Sequence, residues 1–169
     1  MNLDYGLGNA NIDLSGLAIS TLKVNTGSAD VNISYSSGME NQVVMDTFFV
    51  KVDLGSFHAR QLDLSRARVV VAEVGFGNIT LDFGSKPSVQ QVTGSVGAGN
   101  LMIILPSPDI PVIARVSDSW LCSLSLTRGL KKINETTFVN EAYSKNPKGA
   151  LKFDLDVSMG NIIFKEKSN

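Results

Sequence analysis

The fold is decided by one short stretch, Val74-Gly75-Phe76-Gly77-Asn78-Ile79-Thr80-Leu81. Two later stretches repeat its pattern: Val96-Gly97-Ala98-Gly99-Asn100-Leu101-Met102-Ile103 and Val157-Ser158-Met159-Gly160-Asn161-Ile162-Ile163-Phe164. Glycine adopts the backbone angles of a sharp bend, and asparagine tolerates the left-handed region better than most residues. Each copy therefore predicts a tight structural corner that leads into a strand. The predicted corner residues are Gly75, Gly77, Asn78, Gly97, Gly99, Asn100, Gly160 and Asn161.

Apolar and polar residues alternate after each corner. Ile79 and Leu81 would point to one side of a strand, and Thr80 to the other, which is typical of a half-buried strand. Corners that recur about every 20 residues indicate a solenoid, in which each coil buries its inner side by stacking on its neighbours. We therefore predict an all-β fold, a single-stranded, β-helix-like solenoid, right-handed by the general crossover rule. A β-sandwich is the alternative, because short, regularly spaced strands fit it too.

The repeats also predict how the chain is organised. We expect one solenoid domain over residues 1–169, with regular coils over 1–105 and irregular C-terminal coils and a cap over 106–169. Within the regular part, residues 3–35 resemble residues 52–83, which indicates an internal duplication of a two-strand unit. The aligned stretches are Leu3-Asp4-Tyr5-Gly6 with Val52-Asp53-Leu54-Gly55, and Ile12-Asp13-Leu14-Ser15 with Leu62-Asp63-Leu64-Ser65.

Composition excludes several function classes. The 169 residues carry 15 Lys and Arg against 16 Asp and Glu, so no basic excess indicates nucleic-acid binding. One cysteine, Cys122, and one histidine, His58, cannot form a disulfide within the chain or a usual closed zinc site. His58 aligns with Asn9 at a corner of the duplication, so we interpret it as an exposed turn residue rather than a general base. We predict no metal and no cofactor.

The glycine pairs do not predict a nucleotide site. Gly75-Phe76-Gly77 and Gly97-Ala98-Gly99 lack the third glycine of a dinucleotide motif, and each leads into a strand rather than a helix. A Gly-x-Ser-x-Gly nucleophile motif is absent from the sequence. Acidic residues beside the strands are typical of a solvated outer side. The sequence therefore favours a non-enzymatic protein over a carbohydrate-active enzyme built on a β-helix.

A few residues are candidates for interaction. Phe76 lies inside a glycine corner where its counterparts are Ala98 and Met159, so it could be exposed. A small basic loop could contact anionic envelope polymers or lipid headgroups. Open strand edges at the ends of the stack could support self-association. With no transmembrane span in the sequence, any membrane attachment would need segments outside this chain. The loop residues are Arg128, Lys131 and Lys132.

Together with the corner motif, three passages resemble the toast-rack family. They are Leu105 to Val116, Asn140-Glu141-Ala142-Tyr143, and Leu151 to Ile162. That family includes adhesin-like domains and the C-terminal domain of cell-wall-active antibiotic response proteins. The resemblance implies a β-helix-like stack outside the cytoplasm, in the bacterial cell envelope, with no catalytic residues. It implies an interaction module whose partner is an envelope protein or polysaccharide. The alternative is an extracytoplasmic regulatory domain of an envelope-stress response system.

Overall fold

The computed structural model describes residues 1–36, 38–118 and 121–167. The described chain is almost entirely β-structure, with a 3-10 helix at Leu62–Ser65 and a short α-helix, α1, at Glu141–Lys145. No helix among these residues is long and apolar enough to cross a membrane. The strands are β1 (Asn2–Asp13), β2 (Thr21–Ser34), β3 (Met45–Val52), β4 (Ser56–Ala59), β5 (Ala67–Val74), β6 (Asn78–Asp82), β7 (Gln91–Val96), β8 (Asn100–Ile104), β9 (Val112–Asp118), β10 (Ser123–Ser125), β11 (Lys131–Lys132), β12 (Thr137–Val139), β13 (Leu151–Val157) and β14 (Asn161–Lys165).

Each regular coil consists of two strands joined by a corner. In the coil of β5 and β6, the chain runs along one side of the molecule, turns at Gly75–Gly77, and returns along another. We call the sides that contain β5 and β6 the first and second faces. The longer strand β2 bends around the same corner, since Thr21–Thr26 pairs with β3 and Asp30–Ile33 pairs with β4.

Neighbouring coils pair in parallel, residue above residue. This pairing confirms the all-β solenoid and disfavours a sandwich, which joins antiparallel strands through hairpins. The hand of the coil stays a prediction. Inward side chains of successive coils stack on one another and form the core, where Phe153 packs edge-on against Phe83 and Phe164 at 5.4 and 5.7 Å between ring centres. One such inward row on the second face is Val31, Phe57, Ile79, Leu101, Ile162 and Leu124.

The order of the coils in space differs from their order along the chain. The last two long strands, β13 and β14, lie between earlier ones: β13 pairs with β7 on one edge and β9 on the other, and β14 pairs with β8 and β10. After β8 the chain therefore passes over one coil position, builds the coil of β9 and β10, and returns to fill the gap. The coils therefore stack in sequence order as far as β8 but not beyond it.

The predicted duplication has the wrong register in its first part. Leu3 stacks on Val24 and, one coil further, on Val50, so its alignment with Val52 is two residues off. Ile12 is a strand residue in β1, whereas Leu62 begins the 3-10 helix, which is bounded by two left-handed residues. Asp30 and Asn78, by contrast, occupy equivalent positions two coils apart, each the first strand position after its corner.

The two ends of the stack are finished differently. At the C-terminal end, β12 pairs antiparallel with β9, β11 pairs antiparallel with β12, and α1 packs over the outer side through Tyr143. At the N-terminal end, β1 pairs with β2 along almost its whole length. Its other edge has no partner strand among residues 1–36, 38–118 and 121–167.

Candidate interaction surfaces

The asparagine corner residues form a side-chain ladder. Nδ2 of Asn100 donates to Oδ1 of Asn78 at 2.7 Å, and Nδ2 of Asn161 donates to Oδ1 of Asn100 at 2.6 Å. One coil further toward the N-terminus, the Ser56 hydroxyl donates to Asp30 Oδ1 at 2.6 Å. These polar groups are occupied with one another, so their geometry gives them a structural role.

The glycine corner residues allow successive turns to touch. A Cβ atom at Gly99 would clash with the carbonyl oxygen of Gly77, and a Cβ at Gly160 would clash with that of Gly99. The amides of Gly75 and Gly97 each donate to the carbonyl of the valine one coil below, at 2.8 Å. The corners are thus packed backbone to backbone, and the amides of Gly75 and Gly97 are used between coils rather than being free to bind a phosphate.

The middle residue of each corner points into solvent. Amides of Phe76, Ala98 and Met159 each donate 2.8 Å hydrogen bonds to the corner of the coil below, so these residues occupy equivalent positions about 4.8 Å apart. Leu54 makes the corresponding bond, and Leu7 pairs with Ser28 at the same position. We call this row the corner ridge; the exposed fractions of its large side chains are Leu7 85%, Leu54 63%, Phe76 71% and Met159 58%.

Sequence reasoning singled out Phe76 but missed the rest of this row. Leu7 lies between two glycines, Gly6 and Gly8, and Leu54 directly precedes Gly55, so the same glycine signal marked them. Leu54 was missed because Ser56 stands in its corner where the later copies have asparagine. Leu7 was missed although its corner, Gly6-Leu7-Gly8-Asn9, has the complete pattern, because the duplication aligned Gly6 with Gly55. The outcome is an apolar edge from Leu54 to Met159, separated from Leu7 by the polar Ser28, rather than one exposed aromatic residue.

Acidic residues flank the corner ridge. Some exposed carboxylates lie two or three residues from a ridge position in the sequence, as Glu73 lies three residues before Phe76. Another, Asp53, directly precedes the ridge residue Leu54. The nearby cation Lys51 pairs with Asp53 at 3.6 Å. The rim of the ridge is therefore negative; its acidic members are Asp30, Asp53, Glu73 and Asp156.

The predicted basic loop lies elsewhere and is not purely basic. Arg128 and Lys131 line a cavity of about 210 Å³ together with Glu141 and Glu166, while Lys132 is exposed beside them in β11. A hydrogen bond from Lys145 and its charge lower the pKa of Glu141, with Lys131 contributing less. Two cations facing two carboxylates weaken the case for a polyanion site.

The structure keeps the two predicted interaction regions apart. The corner ridge lies where first-face strands end, whereas the cavity lies beside Leu105, after the end of β8, and Val112, at the start of β9. These are opposite edges of the coil. Phe76 and the basic loop therefore cannot contribute to one compact site.

His58 is not a corner residue, contrary to the sequence interpretation. It lies within β4, half-buried between Asn32 and Thr80 of the neighbouring coils. Burial lowers its pKa, the charge of Arg60 lowers it further, and Asp82 partly opposes both. Within the described part of the chain, no three His, Cys, Asp or Glu side chains gather as a metal site requires.

Comparison with known proteins adds a likeness of fold. The chain matches no model of a known protein family, and no curated protein matches it either. A solved crystal structure of "a putative cell adhesion protein" from Clostridium sporogenes superposes with a TM-score of 0.58 over 98% of this chain and 94% of that one, at 13% sequence identity. At this identity the likeness shows a shared architecture.

Proposed function

We propose that this chain is a non-enzymatic, adhesin-like recognition module of the bacterial cell envelope, located outside the cytoplasm, that binds another protein through the corner ridge. The observation that carries the proposal is the row of exposed Leu54, Phe76 and Met159 at equivalent positions of stacked coils. Large apolar side chains that are gathered on a surface, rather than scattered singly, mark interaction sites. Ordered coils beneath them keep the row straight and rigid, which lowers the entropic cost of binding.

The chemistry of the ridge favours a protein partner over a polysaccharide. Leu54, Ala98 and Met159 offer flexible or aliphatic contacts, and Phe76 supplies one aromatic ring on a convex edge. A sugar chain would need several polar groups converging in a cleft. A partner protein with an apolar groove and basic rim would complement both the ridge and its acidic flanks, which steer such a partner electrostatically.

The envelope location is supported by resemblance and by fold. The sequence resembles adhesin-like toast-rack domains, and the same architecture occurs in the Clostridium sporogenes structure described above. Neither names a partner for this chain, so the ridge itself supplies the testable part of the proposal.

The ridge is tested by capture from an envelope extract of the bacterium that encodes the chain. The full chain is immobilised alongside the double variant Leu54→Ser/Phe76→Ser. We expect the wild type to retain a protein that the double variant binds at least about tenfold more weakly, since anchors of this kind dominate interfaces. Met39→Ser is the matched control, because Met39 is 57% exposed but lies in the loop before β3.

Three results would contradict the proposal. Retention that is indifferent to Leu54 and Phe76, or that falls equally with Met39→Ser, would show that the ridge is not the binding surface. Binding that survives complete protease treatment of the extract would make the partner a polysaccharide. Thermal unfolding of every variant is measured in parallel, and the exposed ridge residues should leave it unchanged.

A further inference from the structure

We propose that two copies of this chain pair head to head through β1, forming an antiparallel ladder that joins two solenoids into one. The register places residue i of one copy opposite residue 15 − i of the other. This inference concerns assembly and stands independently of the corner ridge as a binding surface.

The N-terminal edge offers a long, unprotected row of backbone groups. β1 spans Asn2–Asp13 and pairs with β2 from Asn2 to Asp13 on one side, while its opposite edge lacks a partner strand in the described chain. An unpaired edge of this length is a template for strand addition, and natural proteins usually blunt it with lysine, proline or a covering segment. β1 contains neither lysine nor proline.

Within residues 1–36, 38–118 and 121–167, the core is also less covered at this end. Leu3, Tyr5, Ala10 and Ile12 pack against the core but stay half-exposed, whereas their partners one coil inward are fully buried. Another coil stacked on β1 would cover all four residues. The buried partners are Val24, Thr26, Val31 and Ile33.

Only one antiparallel register of β1 with itself pairs all four inward residues with one another. Inward residues are odd-numbered before the corner, Leu3 and Tyr5, and even-numbered after it, Ala10 and Ile12. In the proposed dimer a twofold axis passes through the corner, so the half of β1 before the corner pairs with the half after it in the other copy. Because inward residues are odd-numbered in one half and even-numbered in the other, two inward residues that face each other must have numbers with an odd sum. With the sum of 15, Leu3 faces Ile12 and Tyr5 faces Ala10, while a slip by one residue would place apolar side chains opposite polar ones.

Charge agrees with the same register. Asp4 and Asp13 are the acidic residues of β1, and both are exposed. The proposed pairing sets Asp4 opposite Asn11 and Asp13 opposite Asn2, so carboxylates meet amides and no two acids face each other. Opposed like charges on neighbouring strands would destabilise the ladder.

The other end of the stack does not offer an equivalent edge. On the second face it presents the three-residue strand β10, and on the first face β9 is already covered by β12 and β11. Head-to-tail stacking would leave most of β1 unpaired. The isologous, closed arrangement is therefore favoured over an open filament.

The test is the association of the full chain, measured by sedimentation equilibrium over a range of concentrations. We expect a monomer–dimer equilibrium without higher polymers. Asn11→Asp places an exposed carboxylate opposite Asp4 of the other copy, and symmetry makes this contact occur twice in the dimer. We expect it to raise the dissociation constant about tenfold, whereas Asn11→Lys should lower it about threefold. Ser125→Asp is the control, because it adds the same charge on exposed β10 at the far end.

Outcomes separate the possibilities. A chain that stays monomeric at high concentration overturns the proposal, and so does a filament. A dimer insensitive to Asn11→Asp, or weakened equally by Ser125→Asp, overturns the β1 interface. The double variant Leu54→Ser/Phe76→Ser should leave the dimer intact, so failure of this inference and failure of the ridge as a binding surface are distinguishable.

Discussion

The side-chain amide of Asn161 donates to Oδ1 of Asn100 at 2.6 Å, although 61 positions separate the two residues in the sequence. This bond places the final corner of the chain directly on the corner that precedes β8. It extends the ladder that Asn100 begins with Asn78. The coil inserted last is therefore held by the same contacts as coils that follow one another along the chain.

Removing the middle rung of this ladder should cost about twice as much as removing its end. Asn100→Ala loses two side-chain hydrogen bonds, whereas Asn78→Ala loses one. At about 0.5–1.5 kcal/mol for each bond, we expect Asn100→Ala to lower the free energy of unfolding by about 1–3 kcal/mol. Urea unfolding followed by circular dichroism measures both variants. Equal losses would mean that the ladder is not the source of the stability.

The close contact between corners makes Gly99 intolerant of a side chain. In Gly99→Ala the new Cβ would meet the backbone oxygen of Gly77, which cannot move aside as a flexible side chain can. We expect a loss of about 2–3 kcal/mol in the free energy of unfolding, in the range of overpacked interiors. Gly6→Ala is the control, because a Cβ at Gly6 meets nothing within 4 Å. A harmless Gly99→Ala would contradict backbone-to-backbone packing at the corners.

Asn41 fixes the longest loop between early coils. Its fully buried amide donates to the carbonyls of Ile19 and Val43 at 2.7 and 2.8 Å and accepts from the Ile19 amide at 2.9 Å. Asn41→Ala leaves the buried amide and carbonyl of Ile19 unpaired and removes the bond to the Val43 carbonyl, so we expect a loss of about 3 kcal/mol or more in the free energy of unfolding. Gln42→Ala, at the exposed neighbouring position, should change stability by less than about 0.5 kcal/mol. Similar losses in the two variants would contradict this role for Asn41.

The sequence predicted the coil but not the order of the coils. Alternation around Ile79 and the glycine corners are local signals, and they determine strands and turns wherever the chain lies. The position of β13 depends on which strand edges are still unpaired once β8 has formed. No local sequence pattern contains that information. A period of two also looks the same after a shift of two residues, which is why Leu3 was matched to Val52 instead of Val50.

The candidate surfaces were predictable to a similar degree. Phe76 could be recognised because glycines enclose it, and the exposed edge follows once the corners stack. The carboxylates opposite Arg128 could not be foreseen, because Glu141 and Glu166 reach the loop through α1 and the chain end after β14. Long-range neighbours changed a basic loop into a region of mixed charge.

Tyr35 carries an energetic cost that a single substitution should remove. Its side chain is 1% exposed, and its hydroxyl has no hydrogen-bond partner within the described residues. Tyr35→Phe removes that unsatisfied group while keeping the ring, so we expect the free energy of unfolding to rise by about 1 kcal/mol at neutral pH. Denaturant unfolding of both proteins measures the gain, and a loss of stability would show that the hydroxyl is satisfied in solution.

The same substitution should change how stability responds to alkaline pH. Burial raises the pKa of Tyr35 above its ordinary value of 10.0, so the folded protein keeps the phenolic proton after the unfolded chain has begun to lose it. The protonated phenol of Tyr35 makes its full contribution to the free energy of unfolding below about pH 10. That contribution falls as the pH rises further, because the unfolded chain then binds fewer protons than the folded protein. The stability advantage of Tyr35→Phe should therefore widen from about pH 9 to about pH 11. A difference in the free energy of unfolding between Tyr35→Phe and the wild type that stays constant over that range would contradict a buried, protonated Tyr35.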